Sequence, residues 1–144
     1  MMVLGWSHVG VCCSDLERST AFYEQVLGFS QLFTMELEVP ATMEVEGRFL
    51  SRMLRREDMR LELLQWLSVD PTGDGTRRSM LALGLTHLAF RVSSVEDLAE
   101  VVARAGGTPW PATKTVLEGG VELVYVTDPD GVRIELMAGT PDFS

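Results

Sequence analysis

The chain has 144 residues, 46% of them hydrophobic and 23% charged, enough to bury a substantial core in one soluble globular domain. Twelve basic against 21 acidic residues leave a formal charge of −9, a field that disfavours nucleic acid and anionic membranes as partners. An anionic small substrate is not excluded, because it meets only local arginines.

Leu4 to Cys13 is β-compatible. As a strand it puts His8, Gly10 and Cys12 on one face and Val9, Val11 and Cys13 on the other. The adjacent pair Cys12-Cys13 suits a disulfide poorly, which fits a reducing cytoplasm. Neither a signal peptide nor the ~20-residue apolar run of a membrane span is apparent. Ser14-Asp15 caps an amphipathic helix whose apolar face is Leu16, Ala21, Phe22, Val26 and Leu27, and Gly28 ends it. Phe29 to Val39 reads as a strand broken by Pro40, and Ala41 to Glu46 as a loop or short helical turn. Strands follow over Gly47 to Arg56 and Met59 to Leu67, joined by a turn at Glu57-Asp58.

Ser68 to Ser79, rich in Asp, Gly, Thr and Arg, is a linker extending to about residue 83. Gly84 to Val92 is then a strand carrying His87. Ser93-Ser94 caps a helix through Ala105, stopped by Gly106-Gly107. Thr108 to Val116 carries Pro109 and Pro111 and is predicted at a sheet edge. Val121 to Thr127 and Val132 to Met137 form a hairpin over Asp128-Pro129-Asp130-Gly131, and the tail from Gly139 is polar and loose.

Each half therefore reads strand, helix, three strands: module one at about 3–67 and module two at about 84–138 of a single domain, 1–144. The chain's two histidines fall in matched contexts, Gly5-Trp6-Ser7-His8-Val9 and Gly84-Leu85-Thr86-His87-Leu88. Two glutamates likewise stand alone in apolar runs, in Arg60-Leu61-Glu62-Leu63-Leu64 and Arg133-Ile134-Glu135-Leu136-Met137. A carboxylate in such a run is rarely buried without a partner. His8 precedes Glu62 by 54 positions and His87 precedes Glu135 by 48. Either each imidazole and carboxylate satisfy one another as buried polar groups, or together they bind a metal.

These landmarks resemble the vicinal oxygen chelate superfamily, which includes glyoxalase I, bleomycin resistance protein and extradiol dioxygenases. The resemblance spans nearly the whole chain and rests on four further stretches. They are Ser14-Asp15-Leu16-Glu17-Arg18-Ser19, Phe22 to Phe29 (FYEQVLGF), Gly84 to Phe90 (GLTHLAF) and Asp128 to Leu136 (DPDGVRIEL). It implies an α+β fold of two βαβββ modules, forming a cupped, barrel-like mixed sheet around one divalent ion (Zn, Ni, Co, Mn or Fe). It also implies a homodimer. Ligands in such proteins come from the first and last strands of each module, here His8, Glu62, His87 and Glu135. Epimerase members carry an amide where Glu62 stands, so Glu62 points to glyoxalase I-type chemistry.

Two imidazoles and two carboxylates suit a borderline divalent ion and leave room for adjacent substrate oxygens. The cation would stabilise an enediolate formed by proton removal beside a carbonyl, with Glu135 or Glu62 as base. The expected activity is that of a metal-dependent isomerase or lyase acting on a small α-oxygenated carbonyl compound, such as a thiol conjugate. Alternatives are an epimerase of 2-substituted acyl thioesters, an Fe(II) ring-cleaving dioxygenase using His8, His87 and Glu135, and a non-catalytic antibiotic-sequestering protein. By strand parity Trp66, Arg91 and Cys12 are candidates to line a substrate pocket, each with a plainer role as core or surface residue. Arg60 and Arg133 share parity with the glutamates, either orienting them or lying as charges at hairpin ends.

Overall fold

Alternation in the last strand of each module decides which way its glutamate faces. The computed structural model describes residues 2–39 and 45–139. Its first half holds β1 (Val9–Cys12), α1 (Leu16–Leu27), β2 (Ser30–Val39), β3 (Gly47–Arg56) and β4 (Met59–Trp66). Its second half holds β5 (Leu88–Val92), α2 (Leu98–Arg104), β6 (Thr108–Val116), β7 (Glu122–Thr127) and β8 (Arg133–Ala138). The strands form two four-stranded sheets, ordered β1-β4-β3-β2 and β5-β8-β7-β6. In each, the first strand runs parallel to the last and the remaining pairs are antiparallel. The expected α+β fold of two βαβββ modules is present; neither sheet closes into a barrel, since each keeps two edge strands. The chain divides into two compact units, Met1–Thr72 and Gly73–Ser144, with the boundary inside the expected linker.

In the first unit, Asp15 caps α1 by accepting from the Arg18 N–H at 2.9 Å. Gly28, at φ 69°, ends it with its N–H on Glu24 O. The helix buries Leu16, Phe22, Tyr23 and Leu27, and Leu54, Leu61 and Leu63 are buried in the same unit. Tyr23 meets Phe22 and Phe29 edge-to-face, at 5.4 and 6.1 Å. Because side chains alternate along β4, burial of Leu61 and Leu63 turns Glu62 to the other face. In β8, Ile134 and Leu136 are fully buried and Glu135 faces the other way between them.

Beside the core of the first unit lies a buried cation. The Arg52 guanidinium donates to both Glu17 oxygens at 2.7 and 3.0 Å, to Thr20 Oγ1 at 2.9 Å and to Thr34 Oγ1 at 2.9 Å. This network accounts for the burial of the polar Thr20 on α1.

Local differences from the sequence expectations have physical causes. β1 starts at Val9 rather than near Leu4: in this register Met59, the first residue of β4, falls opposite Ser7, so Leu4 to Trp6 have no partner in β4. α2 is seven residues long, not a helix from Ser93: the Ser94 hydroxyl accepts from the Glu96 N–H, a local turn that replaces the first helical bonds. β6 is an edge strand whose pairing with β7 shifts register between Trp110 and Thr115, as its prolines lead one to expect. The break at Pro40, most of the Ala41–Glu46 segment and the tail beyond Gly139 lie outside the described residues.

The β7–β8 turn is built by its own side chain. Asp128 is buried, and its Oδ1 accepts from the N–H of Asp130 at 3.0 Å and of Val132 at 2.8 Å. Gly131 sits at φ 86°, and a Cβ there would lie 2.6 Å from the Gly75 carbonyl oxygen, so no other residue fits.

Two stability predictions follow from these contacts. Asp128→Ala leaves two turn N–H groups without their acceptor and should destabilise the protein by about 2 kcal/mol in chemical denaturation, with Asp128→Asn milder. For Arg52 and Glu17, the guanidinium lowers the Glu17 pKa below its ordinary 4.5. That carboxylate is 78% exposed against 10% for Arg52, so screening limits the pair to about 1 kcal/mol. A depressed carboxylate stabilises above its unfolded pKa and ceases to as pH falls through the folded one. Glu17→Gln should therefore cost stability at pH 7, with the gap to the parent closing as pH drops below 4.5.

Candidate functional site

Parallel pairing brings one histidine to one glutamate in each unit. Gly10 lies opposite Glu62 and Ala89 opposite Glu135. The histidine two residues upstream in each case leans over that small residue. His8 Nε2 stands 3.2 Å from Glu62 Oε2, and His87 Nε2 stands 2.9 Å from Glu135 Oε2. A Cβ at Gly10 would meet Glu62 Oε2 at 3.9 Å, ordinary contact, consistent with the alanine that the second module carries there.

The other ring nitrogen is held the same way in both modules: Ser7 Oγ lies 2.9 Å from His8 Nδ1, and Thr86 Oγ1 lies 3.0 Å from His87 Nδ1. A hydroxyl donates or accepts as required. It can give its proton to Nδ1 while Nε2–H serves the carboxylate, or accept from Nδ1–H while the Nε2 lone pair faces a metal.

The second carboxylate oxygens differ. Glu62 Oε1 accepts from the Ser51 hydroxyl at 2.5 Å, with Ser51 fully buried. Glu135 Oε1 accepts from the Tyr125 hydroxyl at a long 3.3 Å. The Tyr125 ring also stands edge-on to the His87 ring, with centroids 5.6 Å apart. Burial, and then the negative Glu135, push the Tyr125 pKa upward.

These pairs fit metal ligation. Two ligands bound about 2.1 Å from one ion at right angles lie about 3 Å apart, close to both nitrogen–oxygen separations. Within each unit the group stops at two: among the described residues, no third His, Cys, Asp or Glu completes a metal-holding cluster.

The pocket candidates fare unequally. Trp66 stands at the end of β4, half-buried and packed on Phe49 with ring centroids 5.1 Å apart. Arg91 is exposed on β5. Cys12, the last residue of β1, is exposed, and Cys13 beside it is buried.

Neither Arg60 nor Arg133 bonds its neighbouring glutamate. Arg60 Nη1 donates to the carbonyls of Glu57 and Met59 at 3.1 and 3.0 Å. Arg133 is buried and donates from Nη2 to Arg78 O at 2.6 Å and from Nη1 to Thr86 O at 3.4 Å. Burial and then Arg77 lower the Arg133 pKa, though a guanidinium stays charged.

Ser7, Thr86, Ser51 and Tyr125 were not singled out from the sequence. A signal for the first two was present: a hydroxyl residue precedes each histidine, and Gly or Ala follows two places after it. Ser51 and Tyr125 come from neighbouring strands, and only strand register reveals them.

A sequence profile of the Glyoxalase/Bleomycin resistance protein/Dioxygenase superfamily matches residues 5–136. The chain belongs to that superfamily, the vicinal oxygen chelate group. It is 31% identical over 134 residues to a lactoylglutathione lyase from Haemophilus influenzae, covering 90% of this chain and 89% of the relative. A glyoxalase family protein from Bacillus cereus superposes with a TM-score of 0.81 at 19% identity, covering 96% of this chain and 95% of the other. The fosfomycin resistance protein FosX from Listeria monocytogenes, solved with manganese(II) and sulfate, gives a TM-score of 0.62 at 20% identity over 96% and 95% of the two chains.

Proposed function

We propose that this protein is a divalent-metal-dependent lyase or isomerase of the glyoxalase I type, acting on a small α-oxygenated carbonyl compound such as a thiol hemithioacetal. The observation that carries this reading is the repeated His–Glu pair, alike in both modules down to the hydroxyl on Nδ1. His8 and Glu62 of the first unit, and His87 and Glu135 of the second, are the proposed ligands of a divalent ion of the Zn, Ni, Co, Mn or Fe kind. When bound, the ion supplies a Lewis acid that offsets negative charge growing on adjacent substrate oxygens.

The chain's own groups divide the remaining work. Ser51 fixes Glu62 by a short bond from a fully buried hydroxyl, which suits a permanent ligand. Among the described residues Glu135 is held on its second oxygen only by the long Tyr125 bond, which leaves it freer to turn toward substrate. Glu135 is accordingly assigned as the base that takes the proton beside the carbonyl, giving an enediolate, and returns it to the neighbouring carbon. Ser7 and Thr86 keep each imidazole in the orientation that presents Nε2. The likeness to the Haemophilus influenzae lactoylglutathione lyase supports this reaction class. A cytoplasmic homodimer completes the proposal; exposed Phe33 and Met35 on β2 are apolar surface consistent with self-association.

Protein purified without chelator should contain a stoichiometric divalent ion by elemental analysis, and His8→Ala and His87→Ala should lose it. Ser51→Ala should weaken metal affinity about 10- to 100-fold. Glu135→Gln should keep metal while turnover of α-ketoaldehyde–thiol adducts falls about 10²- to 10⁴-fold. Absence of bound metal under every loading condition sinks the proposal. Oxygen uptake after anaerobic Fe(II) reconstitution would instead favour the dioxygenase reading.

A further inference from the structure

The second unit carries a cavity of about 550 Å³ that the catalytic reading does not use. Arg77, Arg78 and Arg133 line it, together with Thr113, Thr115 and Tyr125. The two linker arginines are held in place by the module. Arg77 lies over the Trp110 ring with its Cζ 3.9 Å from the centroid, a cation–π contact. Arg78 is fixed through its backbone, whose carbonyl accepts the 2.6 Å bond from Arg133, while its own Nη2 reaches Leu83 O at 3.3 Å.

None of the three guanidiniums has a carboxylate partner among the described residues; every hydrogen bond they make goes to a neutral carbonyl. Arg133 is 6% exposed, so solvent screens it poorly. The indole N–H of Trp110, the ring beneath Arg77, is buried and has no acceptor among the described residues. In a chain of net charge −9, three guanidiniums with no carboxylate partner among the described residues line one cavity. Arginine's planar fork is matched to the oxygens of carboxylates and phosphates.

We propose that the cavity walled by Arg77, Arg78 and Arg133 binds a small oxyanion group, carboxylate or phosphate in type, carried by the ligand of this protein. Tyr125 forms one wall and also touches Glu135 and His87, so the bound oxyanion lies one aromatic ring from the proposed reacting groups. Arg133 extends the link, since it also donates to the carbonyl of Thr86, whose hydroxyl holds His87. This names the charge of the substrate in the reading above. It rests on that reading only for its connection to catalysis, because anion binding needs neither metal nor turnover.

The test is calorimetric titration of the full chain with inorganic phosphate, and in a second arm with succinate, at low ionic strength. One saturable site is expected, with affinity falling as salt rises. Arg77→Ala and Arg78→Ala, both at the accessible side of the cavity, should each weaken binding about tenfold, the effect of one charge-assisted hydrogen bond. Tighter binding of phosphate marks a phosphate-type ligand, and tighter binding of succinate a carboxylate-type one. His87→Ala, which removes a proposed metal ligand, should leave anion binding intact. No saturable binding in either arm overturns the proposal. So does binding that ignores both arginine variants yet vanishes in His87→Ala, which would place the anion on the metal. Failure of the metal analysis alone leaves the anion result standing, so the two readings fail separately.

Discussion

Everything at the candidate site follows from the parallel pairing of the first and last strands within each module. Parallel neighbours cannot be joined by a tight turn, so the chain spends a helix and two strands before the fourth strand returns beside the first. That return sets Glu62 opposite Gly10 and Glu135 opposite Ala89, within reach of a histidine two residues upstream. The apolar face of the same strand fixes the register. With Leu61 and Leu63, or Ile134 and Leu136, committed to burial, a one-residue slip would drive a carboxylate under the apolar face. The core thus aims the carboxylate, at no separate cost in specialised local structure.

The two modules share this plan but have come to treat their glutamates differently. In the first, a fully buried serine clamps the free carboxylate oxygen, and the surrounding strands carry a satisfied Arg52–Glu17–Thr20–Thr34 network. In the second, the partner is a tyrosine hydroxyl at a marginal distance, and behind it lies a cavity rather than a packed network. The proposed roles, Glu62 as fixed ligand and Glu135 as base, rest on that difference. Duplication allows such a division, since each copy keeps the frame while its side chains drift.

The larger outline of this arrangement was readable from the chain. Paired histidines, paired glutamates and matched strand patterns survive in sequence because each is local and periodic. The hairpin over Asp128-Pro129-Asp130-Gly131 was equally plain, since turn chemistry is written in consecutive residues. What escaped depended on pairing between distant segments. Ser51 matters because β3 lies beside β4, and Tyr125 because β7 lies beside β8. Leu4 to Trp6 lie beyond the reach of the partner strand, and α2 was shortened by a serine side chain competing for backbone N–H groups. Ser68 to Ser79 read as a linker by composition, yet its arginines are fixed against the second module by a ring and a carbonyl, neither of which composition reveals.

That fixed stretch separates two properties that a single connector would ordinarily tie together. Residues before Gly73 belong to the first unit, while the part bearing Arg77 and Arg78 is anchored to the second. Evolution is therefore free to lengthen or trim the span just after β4 without disturbing the basic wall. Under the proposed anion binding, exchanging Arg77 or Arg78 would retune which ligands are held and leave that span untouched. On that proposal selectivity and connection occupy neighbouring stretches of chain and can diverge independently.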